Sequence, residues 1–463
     1  MKKLLTLIAV ILIAGSIYAG GLVTNNNHSV LFTRMQNRNT STLIDATYFN
    51  PAGLTKLGNG FYVSLNNHTI GQTRTITNDY SFLNGVTQST PREYVGKVSS
   101  PVYPAAYIAF RAGKLAISAG FNPIGGGGGA KYDTGLPSFE MPISELKPLL
   151  SGMGLTTTQY SADIAFEGTS IYFGYQANIS YAINDYISAA IGARLVTAKN
   201  TYSGSISNIK INPLHPQLNP TAALISAPAF FTTINQPIYA AATADREVDV
   251  QETGKGIAPI LSLHVTPIEN LNIAVRYEFK TKLELTTEVF DNKSGGLFVD
   301  GEKVIADMPA ILATGVDYRL MDRLMLAYTF NMYFDKNVDY DGSESDNVDM
   351  IDKNFLEYGI GAELGITDNF RISAGWLATA TGVNDKFLSD MRYSTNANSF
   401  GGGFGFKIAE LVDLNIGAQY TFYDDGSKTF TRMLNSNPIP VHETYKKSTW
   451  TLGVGLDFYF GKN

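Results

Sequence analysis

The final strand-length stretch of the chain constrains its fold more than any other. From Trp450 to Phe460, Trp450, Leu452, Val454, Leu456, Phe458 and Phe460 alternate with Thr451, Gly453, Gly455, Asp457 and Tyr459. A period of two places the two sets on opposite faces of a β-strand, one against an apolar medium and one against a polar or crowded interior. The pattern recurs at Leu356, Tyr358, Ile360, Ala362, Leu364 and Ile366, and again at Leu271, Ile273, Val275, Tyr277 and Phe279. A soluble sandwich also alternates, but its loops are alike at both ends. Here they are not.

Strands are expected near 60–72, 101–111, 114–122, 167–183, 185–203, 252–266, 270–290, 303–319, 322–338, 351–366, 369–381, 394–409, 411–427 and 444–460. The connections alternate strictly. Short ones (Ala112-Gly113, Asn184, Pro267 to Glu269, Leu320-Met321, Thr367-Asp368, Glu410) are followed by long ones, notably 123–166 and 204–251. Short turns at one rim and long loops at the other describe a transmembrane antiparallel β-barrel of about 14 strands, with the turns periplasmic. Composition agrees: 16% charged residues are too few for an ordinary soluble surface, while 26 Tyr, 26 Phe and 44 Gly suit a barrel wall. No segment after the N-terminal apolar run reaches 18 consecutive apolar residues, which argues against membrane-spanning helices.

That N-terminal run, Leu4 to Ala14 behind Lys2 and Lys3, followed by Ser16-Ile-Tyr-Ala19, has the parts of a cleavable secretory signal over 1–19. Without Lys2 and Lys3, 33 basic residues face 41 acidic ones, a net charge of about −8 that excludes a general nucleic-acid binder. The absence of cysteine fits an oxidising compartment. Eight strands leave a barrel filled by side chains and sixteen to eighteen leave a channel, so fourteen should leave a lumen that needs filling. The available material is 20–59, expected to fold inside 60–463 as a hatch. It ends on Asp45-Ala-Thr-Tyr-Phe-Asn50-Pro51-Ala52-Gly53-Leu54, where Pro51 fixes its own φ, Asn50 is pushed toward an extended conformation and Gly53 permits a reversal.

With strand number, hatch and corner in place, the chain resembles the FadL/TodX family of outer-membrane transporters for long-chain fatty acids and other hydrophobic compounds. Arg38-Asn-Thr-Ser-Thr-Leu-Ile-Asp45-Ala46 running into Tyr48-Phe-Asn-Pro-Ala-Gly-Leu54 is similar to the end of that family's hatch, and Ala119-Gly120-Phe121-Asn122-Pro123-Ile-Gly125 to its third strand. The polar hatch start Asn25-Asn-Asn-His28 departs from members richer in Ala and Gly. The resemblance implies a Gram-negative outer-membrane protein, monomeric and surrounded by outer-membrane lipid. Its ligand would be a fatty acid, a detergent or an aromatic. It implies a kink at Gly120 to Pro123 through which ligand leaves sideways. It also implies a capture groove on the apolar long loops, at Ile143, Leu146, Leu149, Leu150, Phe230, Phe231 and Ile238. Those loops are apolar in their own right, which is costly on a surface unless they cover each other or bind something.

Other motifs carry less. Gly125 to Gly129 is not followed by Lys-Ser or Lys-Thr, so it is no phosphate loop and reads as a hinge. Asn337-x-Asp339-x-Asp341-Gly342 begins like a calcium loop, but its twelfth position is Val348. No metal or other cofactor is called for. An outer-membrane phospholipase would need Ser–His chemistry. Ser262 and His264 share a strand face without an evident orienting group, so neither they nor any other residues are read as catalytic. Within the hatch, Arg38 and Asp45 are expected to pair, since an enclosed unpaired charge is costly. The alternatives to uptake are a diffusion porin and a structural or adhesion barrel.

Overall fold

The computed structural model describes residues 29–86, 90–291, 298–321, 323–338 and 350–462. The expected signal, the Asn25 to His28 start and the calcium-like run from Asp339 to Val348 lie outside them.

Fourteen antiparallel barrel strands follow in order: β1 (Asn59–Asn78), β2 (Arg92–Ala112), β3 (Leu115–Tyr132), β4 (Tyr160–Ala182), β5 (Ile187–Ile211) and β6 (Arg246–Ile268). The interrupted strands β7 (Leu271–Glu278 and Glu284–Asp291) and β8 (Lys303–Ile305 and Ile311–Leu320) precede β9 (Leu324–Tyr333), β10 (Phe355–Thr367), β11 (Phe370–Ala380) and β12 (Ala397–Ala409). β13 (Val412–Tyr423 and Gly426–Leu434) and β14 (Asn437–Lys462) complete the set. Each pairs with its neighbour, and β14 returns to β1 from Asn59 with Lys462 to Asn78 with Glu443, closing the barrel. Closure leaves no open edge, which a sheet in lipid requires.

The burial pattern is the reverse of a soluble protein's. On β14, Leu452 and Val454 are each 54% exposed, whereas Thr451 is 5% and Asp457 2% exposed. The apolar face therefore looks outward, and the polar face is covered by something inside. An apolar groove of about 670 Å³ lies on the barrel wall from β8 to β12, with Tyr318, Tyr328, Ile360, Trp376 and Phe400 in its lining.

The cover is the N-terminal segment. Helix α1 (Val30–Arg34), helix α2 (Ala46–Phe49) and a 3-10 turn over Pro51–Lys56 pack against the inner wall. They fit because the wall is stripped to backbone where they touch it. A Cβ added at Gly455 would stand 3.2 Å from Val30 Cβ, and one at Gly361 would stand 2.5 Å from Met35 Cγ.

The strands run further than hydrophobic contrast predicts. β3 continues through the glycine run to Tyr132, so those glycines are strand rather than loop. The segment expected as a loop over 428–443 is a hairpin whose Asn435 and Ser436 both have positive φ, 49° and 67°, as a type I′ turn demands. At 26 residues, β14 is more than twice the 9–11 a tilted strand needs to span a bilayer. The surplus carries the barrel beyond the membrane on the long-loop side.

Candidate functional site

The hatch is two halves tied to different walls. In the first, Val30 N donates to Asn66 Oδ1 of β1 (2.9 Å), and Thr33 Oγ1 lies 2.9 Å from His68 Nε2. Arg34 reaches Glu363, Asn415 and Ser373 on β10, β13 and β11. Asn39 Nδ2 donates to Asn331 Oδ1 of β9 (2.8 Å). In the second half, Arg276 Nη1 of β7 donates to Tyr48 O (2.7 Å), and Gln176 and Asn178 of β4 donate to Thr47 O. The guanidiniums of Arg194 and Arg276 lie 4.4 and 4.9 Å from the Tyr48 ring centroid. Arg194 is also paired with Glu278 (2.6 Å), so these strands bring their charges already matched.

The Asn50–Pro51 corner is buried, and three strands hold it. Asn50 Nδ2 donates to Ser41 O (3.1 Å) and sits 2.8 Å from His264 Nδ1, while Ser262 Oγ donates to Asn50 Oδ1 (3.1 Å). Ala52 N donates to Ser262 Oγ (3.3 Å), and Ser180 Oγ of β4 donates to Pro51 O (2.7 Å). Thr55 Oγ1 and Ser188 Oγ of β5 lie 2.6 Å apart. Ser262 and His264 thus serve to anchor the corner, where sequence alone offered only a weak Ser–His pair. Gly53 lies in the 3-10 turn without a left-handed φ, so the turn does not use the conformational freedom expected of it. It is needed for space: a Cβ there would meet Ser41 O and stand 2.6 Å from Asn50 Nδ2.

Arg38 and Asp45 do pair, at 2.7 and 2.9 Å. The pair is internal to the hatch, bridging its halves, and does not lock hatch to wall. Ser41 Oγ completes it by donating to Asp45 Oδ1 (2.5 Å) and accepting from Arg38 Nη2 (2.8 Å). Sequence reasoning missed Ser41; its spacing three after Arg38 and four before Asp45 was the available signal.

Beside the hatch lies an apolar cluster that includes Tyr48, Phe49, Ile124, Tyr172, Val196 and Met308. Ile124 stands at a fault in the wall. β2 and β3 pair at Gly96 and Lys97 with Tyr132 and Lys131, and again from Ala106 with Phe121 downward. Between these points, among the described residues, 98–105 and 122–130 form no pairs with each other, although each stretch keeps its partner on the other side. β3 also shifts register against β4 at Pro123, Gly125 and Gly128, with Gly126 at φ 82°. Gly120 and Phe121 sit at the last paired position below the fault, and Asn122 and Pro123 begin it. The second edge of this gap carries Pro101 and Pro104 on β2, whose missing N–H groups are its signal in the sequence.

The apolar loop residues come together. Residues 143–150 are divided between α3 (Pro137–Ser144) and α4 (Leu146–Gly152). Across from them stand α5 (Ala227–Thr233) and α6 (Pro237–Ala242). Ile143, Leu146, Leu149, Leu150, Phe230 and Phe231 are buried in one cluster shared by the two loops, and Ile238 is 50% exposed. Acidic side chains fix α3 to the barrel rim. Glu140 accepts from Tyr94 and Tyr160 (both 2.8 Å) and pairs with Arg92, and Glu145 pairs with Arg432.

At the start of α3, Ser138 N donates to Asp390 Oδ2 (2.7 Å). Burial raises the Asp390 carboxyl above its ordinary value. A carboxyl raised in the folded state contributes stability that is complete below its unfolded pKa, about 3.9, and is lost as pH rises through the folded value. Protease cleavage within 133–159 should therefore be slower near pH ~4 than near pH ~8, and Asp390→Asn, which keeps an acceptor for Ser138, should flatten most of that difference. A variant as pH-sensitive as the parent would remove Asp390 from the account.

No protein-family model matches the chain, and no curated protein sequence does. Solved structures do. A Pseudomonas aeruginosa FadL homologue is 11% identical, with 95% of this chain and all of that one covered at a TM-score of 0.65. The Pseudomonas putida toluene transporter TodX is 14% identical over 91% of this chain and 95% of its own, at 0.55. The Ralstonia pickettii toluene transporter TbuX is 14% identical over 90% and 94%, at 0.50. With its closed fourteen-strand wall and its N-terminal helices in the lumen, the chain has the fold of the FadL/TodX-type outer-membrane transporters.

Proposed function

We propose that this protein takes up a hydrophobic small molecule, such as a long-chain fatty acid or an aromatic hydrocarbon, passively across the outer membrane of a Gram-negative bacterium. The observation that carries the proposal is the unpaired stretch between β2 and β3, because Ile124 of the apolar cluster beside the hatch stands within it. Ligand reaches the loops at α3 to α6, where Ile238 and Leu218 are exposed, and passes into the apolar cluster. Movement of the hatch frees Phe49 and Tyr48 from that cluster, and the ligand leaves sideways at the break. Transfer of apolar surface out of water drives the process, at about 25 cal/mol per Å². The chain acts as a monomer after loss of 1–19, with lipid filling the groove on its outer wall. It performs no chemistry.

Planar-bilayer recording combined with uptake tests the proposal. Cells bearing the chain should accumulate a hydrophobic fluorophore faster than cells without it, and the purified protein should hold no steady open-channel current. Large steady currents with no gain in uptake would make it a diffusion porin. A silent protein with no gain would leave the structural or adhesion role.

A further inference from the structure

Over the residues in which β2 loses β3, it also slips against β1. His68 pairs with Tyr103 and Ile70 with Ser100, so Pro101 and Val102 together face the single residue Thr69. That is a β-bulge, which re-aims the side chains around it. Neither Pro101 nor Pro104 has an N–H to give to a ladder. Side-chain bonds hold the stretch: Thr69 Oγ1 donates to Pro101 O (3.0 Å), and Tyr103 N donates to Asn67 Oδ1 (3.1 Å). The bulge sends Val102 outward, 67% exposed, and Tyr103 inward, 5% exposed. On the facing edge of the break, Asn122 and Ile124 are buried as well, and Asn122 Nδ2 donates to Pro123 O next to it. The largest side chain directed inward from the unpaired part of β2 is therefore the Tyr103 ring.

We infer that Tyr103 is the specificity-determining residue of sideways passage, its ring closing the β2–β3 break from the lumen side and setting the cross-section of ligand that passes. The inference rests on the uptake reading above. A phenol held on a bulge between two prolines has little freedom to withdraw. A thin alkyl chain can slide past it, while a fused-ring aromatic meets it.

The test uses cells carrying the full chain in the outer membrane, with dodecanol as the slender probe and pyrene as the bulky one. Tyr103→Ala should raise pyrene uptake by about tenfold or more, the scale on which one or two carbons matter in an apolar site, and change dodecanol uptake less than about twofold. Tyr103→Phe keeps the ring and should match the parent. Tyr103→Leu, a milder truncation, should fall between, and heat-modifiable migration on gels checks that each variant folds. If the parent carries both probes and Tyr103→Ala speeds them equally or leaves both unchanged, the assignment of Tyr103 is overturned while uptake stands. A parent that carries neither probe overturns the uptake reading, and the assignment with it.

Discussion

Deleting residues 20–45 while keeping the Asn50–Pro51 corner should leave a folded barrel that conducts ions. Every strand finds its partners without the hatch, and β1 meets β14 along its whole length. The hatch adds no strand to the wall; it contributes short helices, side-chain bonds and packing. What deletion uncovers is largely polar: Asn66, Glu363, Ser373 and Asn415 lose Val30 and Arg34 and gain water. Fourteen strands enclose more than the side chains of eight-stranded barrels fill, so the emptied half of the lumen should become a continuous aqueous path. Single-channel recording should then show a steady open current that the intact protein lacks. Aggregated, non-heat-modifiable product would instead make the hatch a requirement for folding.

The second large effect belongs to Arg38 and Asp45. Both are enclosed, at 5% and 0% exposure, and the guanidinium meets the carboxylate through two nitrogens. Such a fork is geometrically specific, and breaking it from one side leaves an uncompensated buried charge. Arg38→Met should cost the hatch about 3–5 kcal/mol and produce bursts of open current, because the pair joins the half held by β1 and β8 to β13 to the half held by β4 to β7. Asp45→Asn should be of the same order. The double variant, with neither charge left, should recover most of the loss, since a buried pair replaced as a unit is often nearly neutral. A double variant as leaky as the sum of the singles would mean that the two residues act independently.

Much of the fold was legible because lipid imposes a strict code on each strand. Leu452 and Val454 face hydrocarbon, Thr451 and Asp457 do not, and that contrast marks a strand wherever the membrane surrounds it. Where the barrel projects into water, the code lapses while backbone pairing continues. Lys428 to Arg432 mixes polar and apolar residues, reads as a loop, and is a strand of the outer hairpin. Candidate site residues were legible singly and not in their partnerships. Asn50 and Arg38 stood out as a turn and an enclosed charge, but His264 and Ser262, more than 200 residues further on, anchor that turn. No spacing rule relates them.

The sequence by itself determined a closed antiparallel barrel with short turns at one rim and long loops at the other, and pointed to the N-terminal segment as its filling. These follow from a period of two and from alternating loop lengths, both local properties. Only the tertiary structure decided what the glycines opposite the apolar face are for. Gly361 and Gly455 are wall positions where Met35 and Val30 of the hatch press on backbone, a contact between segments more than 300 residues apart. It also decided where the wall is broken. A ladder needs both strands, so the fault at Pro123 exists only because the bulged, proline-bearing stretch of β2 lies beside it.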